Sequence, residues 1–300
     1  NIITKDAEDI DGAQVSVKYG SYATTTTNLL LGQVYKDFEL SANINYRDTN
    51  GYKAYVSSDS VGQSGNTSPS SKRINTDLCV KHKKGLYLRA NYNTTEDGPR
   101  FGFAHALNDE DTSKRETYFV ELGYNYKFTN TYSLNSRVYY DFFKTENVWR
   151  VFPAGFPVDP SDPLAPIYID GMLGYVSIDN RKSGLETLLT LKKENYTVIS
   201  GISYELQQIR NPSQQLNFNP ITNDPLPTLQ DFSEPDTNYI SEQDREFWAA
   251  YSELLYDIRP ELRLTAGLRY DYYSDFGGVL NPRLGAAWEE IGRASCRERV

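Results

Sequence analysis

Apolar and polar residues alternate with a period of two in run after run along this chain. Such a pattern suits a sheet whose two faces meet different media. Residues 262–273 show it most cleanly: Leu262, Leu264, Ala266, Leu268, Tyr270 and Tyr272 fall on one face, and Arg263, Thr265, Gly267, Arg269, Asp271 and Tyr273 on the other. Phe38, Leu40, Ala42, Ile44 and Tyr46 interleave with Glu39, Ser41, Asn43, Asn45 and Arg47 in the same way. Further runs follow at Leu86, Leu88, Ala90 and Tyr92, at Tyr118, Val120, Leu122, Tyr124 and Tyr126, and at Tyr132, Leu134, Val138, Tyr140 and Phe142. Residues 196–206 and 247–258 keep the pattern with one or two lapses, while 25–35 is ambiguous about which face is greasy. About twelve strands are expected.

Their connections are of two kinds. Lys36-Asp37, Lys83-Lys84-Gly85, Thr129-Asn130, Lys193-Glu194-Asn195 and Arg259-Pro260-Glu261 are short and polar, fit for hairpins. Between them lie long connections over 50–72, 96–114, 144–180 and 209–244. Tight turns at one end and long loops at the other describe an outer-membrane β-barrel, antiparallel and up-and-down. No stretch approaches the roughly 20 apolar residues of a spanning helix. Tyrosine is unusually abundant, 24 of 300 residues. It often stands at expected strand ends, as at Tyr19, Tyr35, Tyr126, Tyr132, Tyr196, Tyr256 and Tyr273, where aromatic girdles would lie. Five prolines in each of the two longest connections are expected to stiffen those loops and keep them out of a ladder.

A net charge of −9 argues against a nucleic-acid partner. Cys79 stands on the polar side of an expected strand and Cys296 near the chain end, so no disulfide framework follows. His82 and His105 have no carboxylate or cysteine at ligand spacing, no serine and histidine pair for nucleophilic chemistry, and no glycine loop cradles phosphate. No catalytic residue, metal site or cofactor is expected, and the chain does not read as an enzyme.

Two motifs carry a family resemblance. Asn1-Ile2-Ile3-Thr4-Lys5 resembles the end of the plug domain in TonB-dependent outer-membrane receptors, just before the first barrel strand. Gly267-Leu268-Arg269-Tyr270-Asp271 followed by Asn281-Pro282-Arg283-Leu284-Gly285 resembles mid-barrel segments of that family, the second read as a strand with a turn. This likeness implies the end of a plug and its linker over 1–11, and part of a 22-stranded barrel over 12–290. The tail 291–300, IGRASCRERV, breaks the pattern and resembles a translated sequencing adapter, so it is set apart from fold reasoning. On this reading the chain is a fragment of a longer protein.

The resemblance implies a receptor in the Gram-negative outer membrane that imports a scarce ligand such as a ferric siderophore, haem or cobalamin. Its implied partners are outer-membrane lipid and lipopolysaccharide, a small chelate ligand, and the TonB complex, reached through the missing N-terminal region. Candidate ligand contacts in the loops are Tyr52, Tyr55, Trp149, Arg150, Phe152, Phe156, Tyr168, Tyr175, Phe218, Phe232 and Tyr239, because aromatic and arginine side chains give much contact area per ordered residue. Facing the lumen, toward plug or water, would be Arg47, Arg89, Glu121, Arg137, Glu205, Glu253, Arg263, Arg269 and Asp271. Two other readings stand beside this one: a passive outer-membrane porin, and a secreted all-β binding module, which would bury both sheets in cores.

Overall fold

A computed structural model describes residues 5–99 and 104–288. Residues 1–4 of the plug-like motif and the tail 291–300 lie outside the described residues. Twelve antiparallel strands follow one another as a meander: β1 (Gly12–Gly20), β2 (Thr24–Tyr35), β3 (Phe38–Thr49), β4 (Ser71–His82), β5 (Leu86–Asp97), β6 (Thr112–Lys127), β7 (Tyr132–Phe152), β8 (Met172–Lys192), β9 (Tyr196–Phe218), β10 (Gln243–Arg259), β11 (Leu262–Tyr273) and β12 (Gly277–Trp288). Each pairs only with its sequence neighbours, except that a short strand, Pro225–Asp231, adds to β9. One helical turn, α1 (Ala7–Ile10), precedes the sheet, closed by a capping box between Asp6 and Asp9.

Register assigns the two faces, because residues directly opposite in a ladder share one. Leu88 lies opposite Leu122, which lies opposite Val138, then Leu185 and Tyr204. Most of this outer face is open: Leu88, Leu122, Val138, Leu185, Ile202, Leu254 and Leu268 are all exposed. No second layer covers it among the described residues, so no core of the sandwich kind exists there. Outer aromatics bound the greasy band, with Tyr126, Tyr132, Tyr196 and Tyr256 below and Tyr118, Phe142, Tyr204 and Trp248 above. From Tyr132 to Phe142 the strand covers roughly 33 Å, or about 25 Å along the normal of a tilted barrel, enough for an outer-membrane band. Tyr273 departs from the girdle: it pairs with Phe247 on the inner face, the rings 4.8 Å apart.

Pairing also settles β2, where three leucines stand in a row. Leu29 and Leu31 lie opposite Ile44 and Ala42 on the outer face, and Leu30 lies opposite Asn43 on the inner one. An inner leucine is tolerated because α1 covers it; Ile10 and Leu30 border the same cavity. Beside them Gly32 lets the turn seat closely, for a Cβ there would stand 2.5 Å from that of Ile10. Asp6 binds Lys81 on the inner face of β4.

Several expectations need correction. Two outward connections are short, at residues 21–23 and 274–276, so long loops occur only between β3 and β10. The expected connections 144–180 and 209–244 are strand at their flanks, since β7, β8 and β9 run 21, 21 and 23 residues. Beyond the aromatic bands neither face is greasy, so nothing enforces alternation there and the ladder continues unseen. Proline does enter ladders: Pro157 and Pro225 sit in short loop strands, and Pro212 lies in β9 where its register with β8 shifts, a usual place for it. The Asn281–Gly285 stretch is not a turn but the middle of β12, with Pro282 opposite Leu268.

Candidate functional site

All nine residues expected to face the lumen share the inner face. At mid-height they build a paired belt. Glu121, with 3% of its side chain exposed, meets Arg137 at 2.9 Å and Arg89 at 3.6 Å. Arg137 reaches on to Glu186 at 2.8 Å, and Glu186 accepts from the Tyr251 hydroxyl at 3.4 Å. The Tyr139 hydroxyl donates to Glu205 at 2.5 Å, and the Arg269 guanidinium lies over the Tyr251 ring while bonding Asp271 at 2.8 Å. Glu253 pairs with Arg283 at 3.4 Å, and Arg263 with Asp257. Arg47 stands opposite Arg73, which reaches Asp97 at 3.6 Å.

Glu186, Tyr87, Tyr139 and Tyr251 join the belt without having been expected there. Glu186 stands directly opposite Arg137, and the signal of the other three is a tyrosine on a polar face directly opposite a glycine: Tyr87 with Gly123, Tyr139 with Gly184 and Tyr251 with Gly201. Each ring lies over its glycine, where a Cβ would overlap it. The missing side chains let the phenols lie flat along the wall and reach the carboxylates.

The loop candidates separate. Trp149, Arg150, Phe152, Tyr175 and Phe218 are strand residues rather than loop residues, because β7, β8 and β9 run on past the upper aromatic girdle. Trp149 faces inward, opposite Gly174, and Tyr175 faces outward, opposite Val148. Phe152, Phe156 and Tyr168 pack on one another, with Phe152 and Phe156 stacked at 4.4 Å, so they serve the loop's own small core. Tyr168 is buried, its hydroxyl donating to the Asn223 carbonyl. Tyr52, Tyr55 and Tyr239 are exposed on the loops, and Phe232 is half-buried.

Hydrogen bonds tie the four long loops in order. Asp59 accepts from Leu107 N at 2.7 Å, Arg150 binds Glu110 and donates to the Asp170 carbonyl, and Tyr168 joins the third loop to the fourth. Desolvation pushes the Asp59 carboxyl up, but the N–H groups of Leu107, Gln63 and Val61 outweigh it and hold the pKa below the ordinary value. At Asp111 desolvation wins over the Arg150 amide and raises it. A depressed folded pKa stabilises above the unfolded value near about 3.9 and is lost as pH falls through the lower folded one. We expect Asp59→Ala at neutral pH to expose the Val61, Gln63 and Leu107 amides to hydrogen exchange, and wild type to lose the same protection only below about pH 4.

Beneath the loops, the inner wall of β7 to β10 holds a cavity of about 500 Å³ lined by Asp141, Phe143, Lys182, Gln207, Arg245 and Asp275. Arg245 bonds Asp275 through Nε at 2.8 Å and a terminal nitrogen at 2.6 Å. Cationic donors and carboxylate acceptors beside an aromatic ring can orient a small polar ligand.

Residues 37–292 match the family described as TonB dependent receptor-like, beta-barrel. The chain belongs to that family. No curated protein sequence matches it. Solved TonB-dependent receptor folds resemble it at low identity. Fiu, the ferric-catecholate import receptor of E. coli K12 in its closed form, gives a TM-score of 0.60 at 13% identity, covering 92% of this chain and 46% of that one. FrpB, the iron transporter from Neisseria meningitidis, gives 0.60 at 14%, covering 95% and 46%. The copper transporter OprC gives 0.57 at 15%, covering 91% and 40%. Such identities show the fold alone, and this chain spans less than half the length of each. TonB-dependent receptor barrels reside in the Gram-negative outer membrane.

Proposed function

We propose that this chain is part of an outer-membrane receptor that imports a scarce ligand such as a ferric siderophore, haem or cobalamin, driven through the TonB complex. Family membership over residues 37–292 carries the reading. Fiu is a ferric-catecholate import receptor, FrpB an iron transporter and OprC a copper transporter, which fits capture of a scarce metal or its chelate. We assign residues 5–11 to the end of a plug and its linker: α1 seats against the inner face, where an open porin would have water. The upper inner wall around Asp141, Lys182 and Arg245, with the exposed Tyr52, Tyr55 and Tyr239, is the proposed capture surface.

Loop charge bears on the ligand. Residues 153–171 and 219–242 carry Asp159, Asp162, Asp170, Asp224, Asp231, Glu234, Asp236 and Glu242, and no Lys, Arg or His. A mouth of one sign focuses its field and repels like-charged ligands. For a polyanionic chelate, association should therefore quicken by about tenfold as ionic strength rises through the range where the Debye length falls from about 30 to 8 Å. A neutral ligand should show no such dependence, and stopped-flow fluorescence quenching reads both.

The receptor reading is tested by expressing the full-length protein in cells lacking their own receptors and following uptake of labelled ferric chelates, haem and cobalamin, with and without TonB. Saturable uptake of one of them that vanishes without TonB is expected. Non-saturable entry that persists without TonB would favour the porin and contradict the proposal.

A further inference from the structure

Two rows of carboxamides cross the inner wall above the seat of α1 and lie outside the charged belt. At one height the ladders set Asn28 opposite Asn45, Asn45 opposite Asn75, Asn75 opposite Asn93, Asn93 opposite Thr117, and Thr117 opposite Phe143. One row lower, Asn43 lies opposite Asp77, Asp77 opposite Asn91, and Asn91 opposite Phe119. Both rows therefore run across successive strands and end on an aromatic ring. Asn43 and Asn91 donate to Asp77, the first at 3.4 Å, and Asn93 donates to Asn91 and to Thr117, the latter at 3.3 Å. Asn28, Asn45 and Asn75 are half-buried and make no side-chain hydrogen bond among the described residues.

We propose that this wall is a saccharide subsite of the capture surface, where the cargo is held by its sugar hydroxyls. A carboxamide offers donors and an acceptor side by side, and each sugar hydroxyl is donor and acceptor at once, so the two satisfy one another in pairs. The spacing agrees with this. Strands about 4.8 Å apart carry one carboxamide each, roughly the length of a hexose ring, so a short glycan lying across the strands meets them in turn. Phe119 and Phe143 then offer a π-surface to the less polar C–H face of a sugar ring, because the negative face of the aromatic attracts those hydrogens. Tyr139 braces Phe119, the rings 6.2 Å apart.

A metal chelate without sugar suits these rows less. Its oxygens turn inward to the metal, whereas nearly every oxygen of a saccharide faces outward as a hydroxyl. Charge points the same way: residues 153–171 and 219–242 at the mouth carry carboxylates and no Lys, Arg or His, which holds back polyanions and lets neutral cargo pass. Above the rows Arg47, Arg73 and Arg115 add forked donors, the last two held in place by Asp97. The proposal rests on the importing-receptor reading and adds to it the chemistry that holds the cargo. A free oligosaccharide and a glycosylated chelate share that chemistry.

The test applies the fluorescently labelled full-length receptor, in detergent, to a printed array of neutral oligosaccharides, and follows the tightest binder by titration calorimetry. Beside it a ferric catecholate is titrated with and without glucosyl groups. Binding on the array supports the proposal with free saccharide as the source; a silent array with tighter binding of the glucosylated chelate supports it with a glycosylated chelate. Asn45→Ala with Asn75→Ala should weaken the binding found roughly twenty-five-fold, about fivefold for each carboxamide. Asn45→Leu alone, which breaks no side-chain hydrogen bond among the described residues, keeps the test valid should the double variant fail to fold. A silent array together with equal affinity for the two chelates, or with binding of neither, would overturn the proposal. So would asparagine variants that bind sugar like wild type; faster hydrogen exchange in their plug would then assign the rows to plug packing. Uptake of a sugar-free ligand that vanishes without TonB, with no sugar bound, would leave the receptor reading standing while this proposal falls, so the two failures are told apart.

Discussion

Leu122→Arg should destabilise the full-length, membrane-inserted barrel by about 2–4 kcal/mol, the effect of a cation near the bilayer midplane on a lipid-facing wall. Leu122 lies midway between Tyr118 and Tyr126 on the outer face of β6, opposite Leu88 and Val138. Nearly half of it is exposed, at 46%. In water a substitution at so open a position would stay within about 0.5 kcal/mol of wild type. The contrast makes the result informative. Urea unfolding from lipid vesicles, read by the shift between folded and unfolded bands on a gel, gives the number. Val138→Arg on the next strand should behave alike, and Asn135→Arg on the inner face of β7 should change little.

Arg137→Met is the second large effect, expected at about 1–3 kcal/mol for leaving the buried Glu121 and the half-buried Glu186 short of a partner. Its guanidinium is the bridge of the luminal belt, bonding Glu121 and Glu186 at once. Removing it leaves Glu121 with Arg89 at 3.6 Å and Glu186 with the Tyr251 hydroxyl at 3.4 Å. Because Arg137 itself is 39% exposed, water reaches the gap and the lower half of that range is expected. Arg283→Met, at a side chain 74% exposed, should fall within about 0.5 kcal/mol of wild type although it too breaks an ion pair. Glu121→Gln in the Arg137→Met background should recover part of the loss, a coupling that a double-mutant cycle in the same urea assay measures.

What could be read from sequence depended on the medium. Between the girdles one face must be greasy and the other polar, so Leu122, Leu88, Val138 and their polar neighbours announce both strand and facing. Above the girdle that constraint ends. Lys144 to Phe152 and Ile209 to Phe218 look like loop yet extend the ladders, and five expected loop contacts prove to be strand residues. The luminal belt was legible in its charges but not in its geometry. Tyr139 looks like one more girdle tyrosine until pairing sets it opposite Gly184 and within reach of Glu205. The three leucines of β2 were undecidable because α1, distant in sequence pattern, supplies the inner cover for Leu30.

The receptor reading puts acyl chains on the outer face and water or polypeptide on the inner one. Spin labels placed singly from Tyr118 to Tyr126 on β6, in the full-length receptor with Cys79→Ser and reconstituted in bilayers, test it most directly through accessibility to oxygen and to a water-soluble nickel chelate. Oxygen accessibility should peak at 118, 120, 122, 124 and 126 and fall at each position between, with the nickel reagent excluded from the peaks. Labels at 120 and 122 that are immobile and shielded from both reagents would place a second protein layer over those residues and contradict the account.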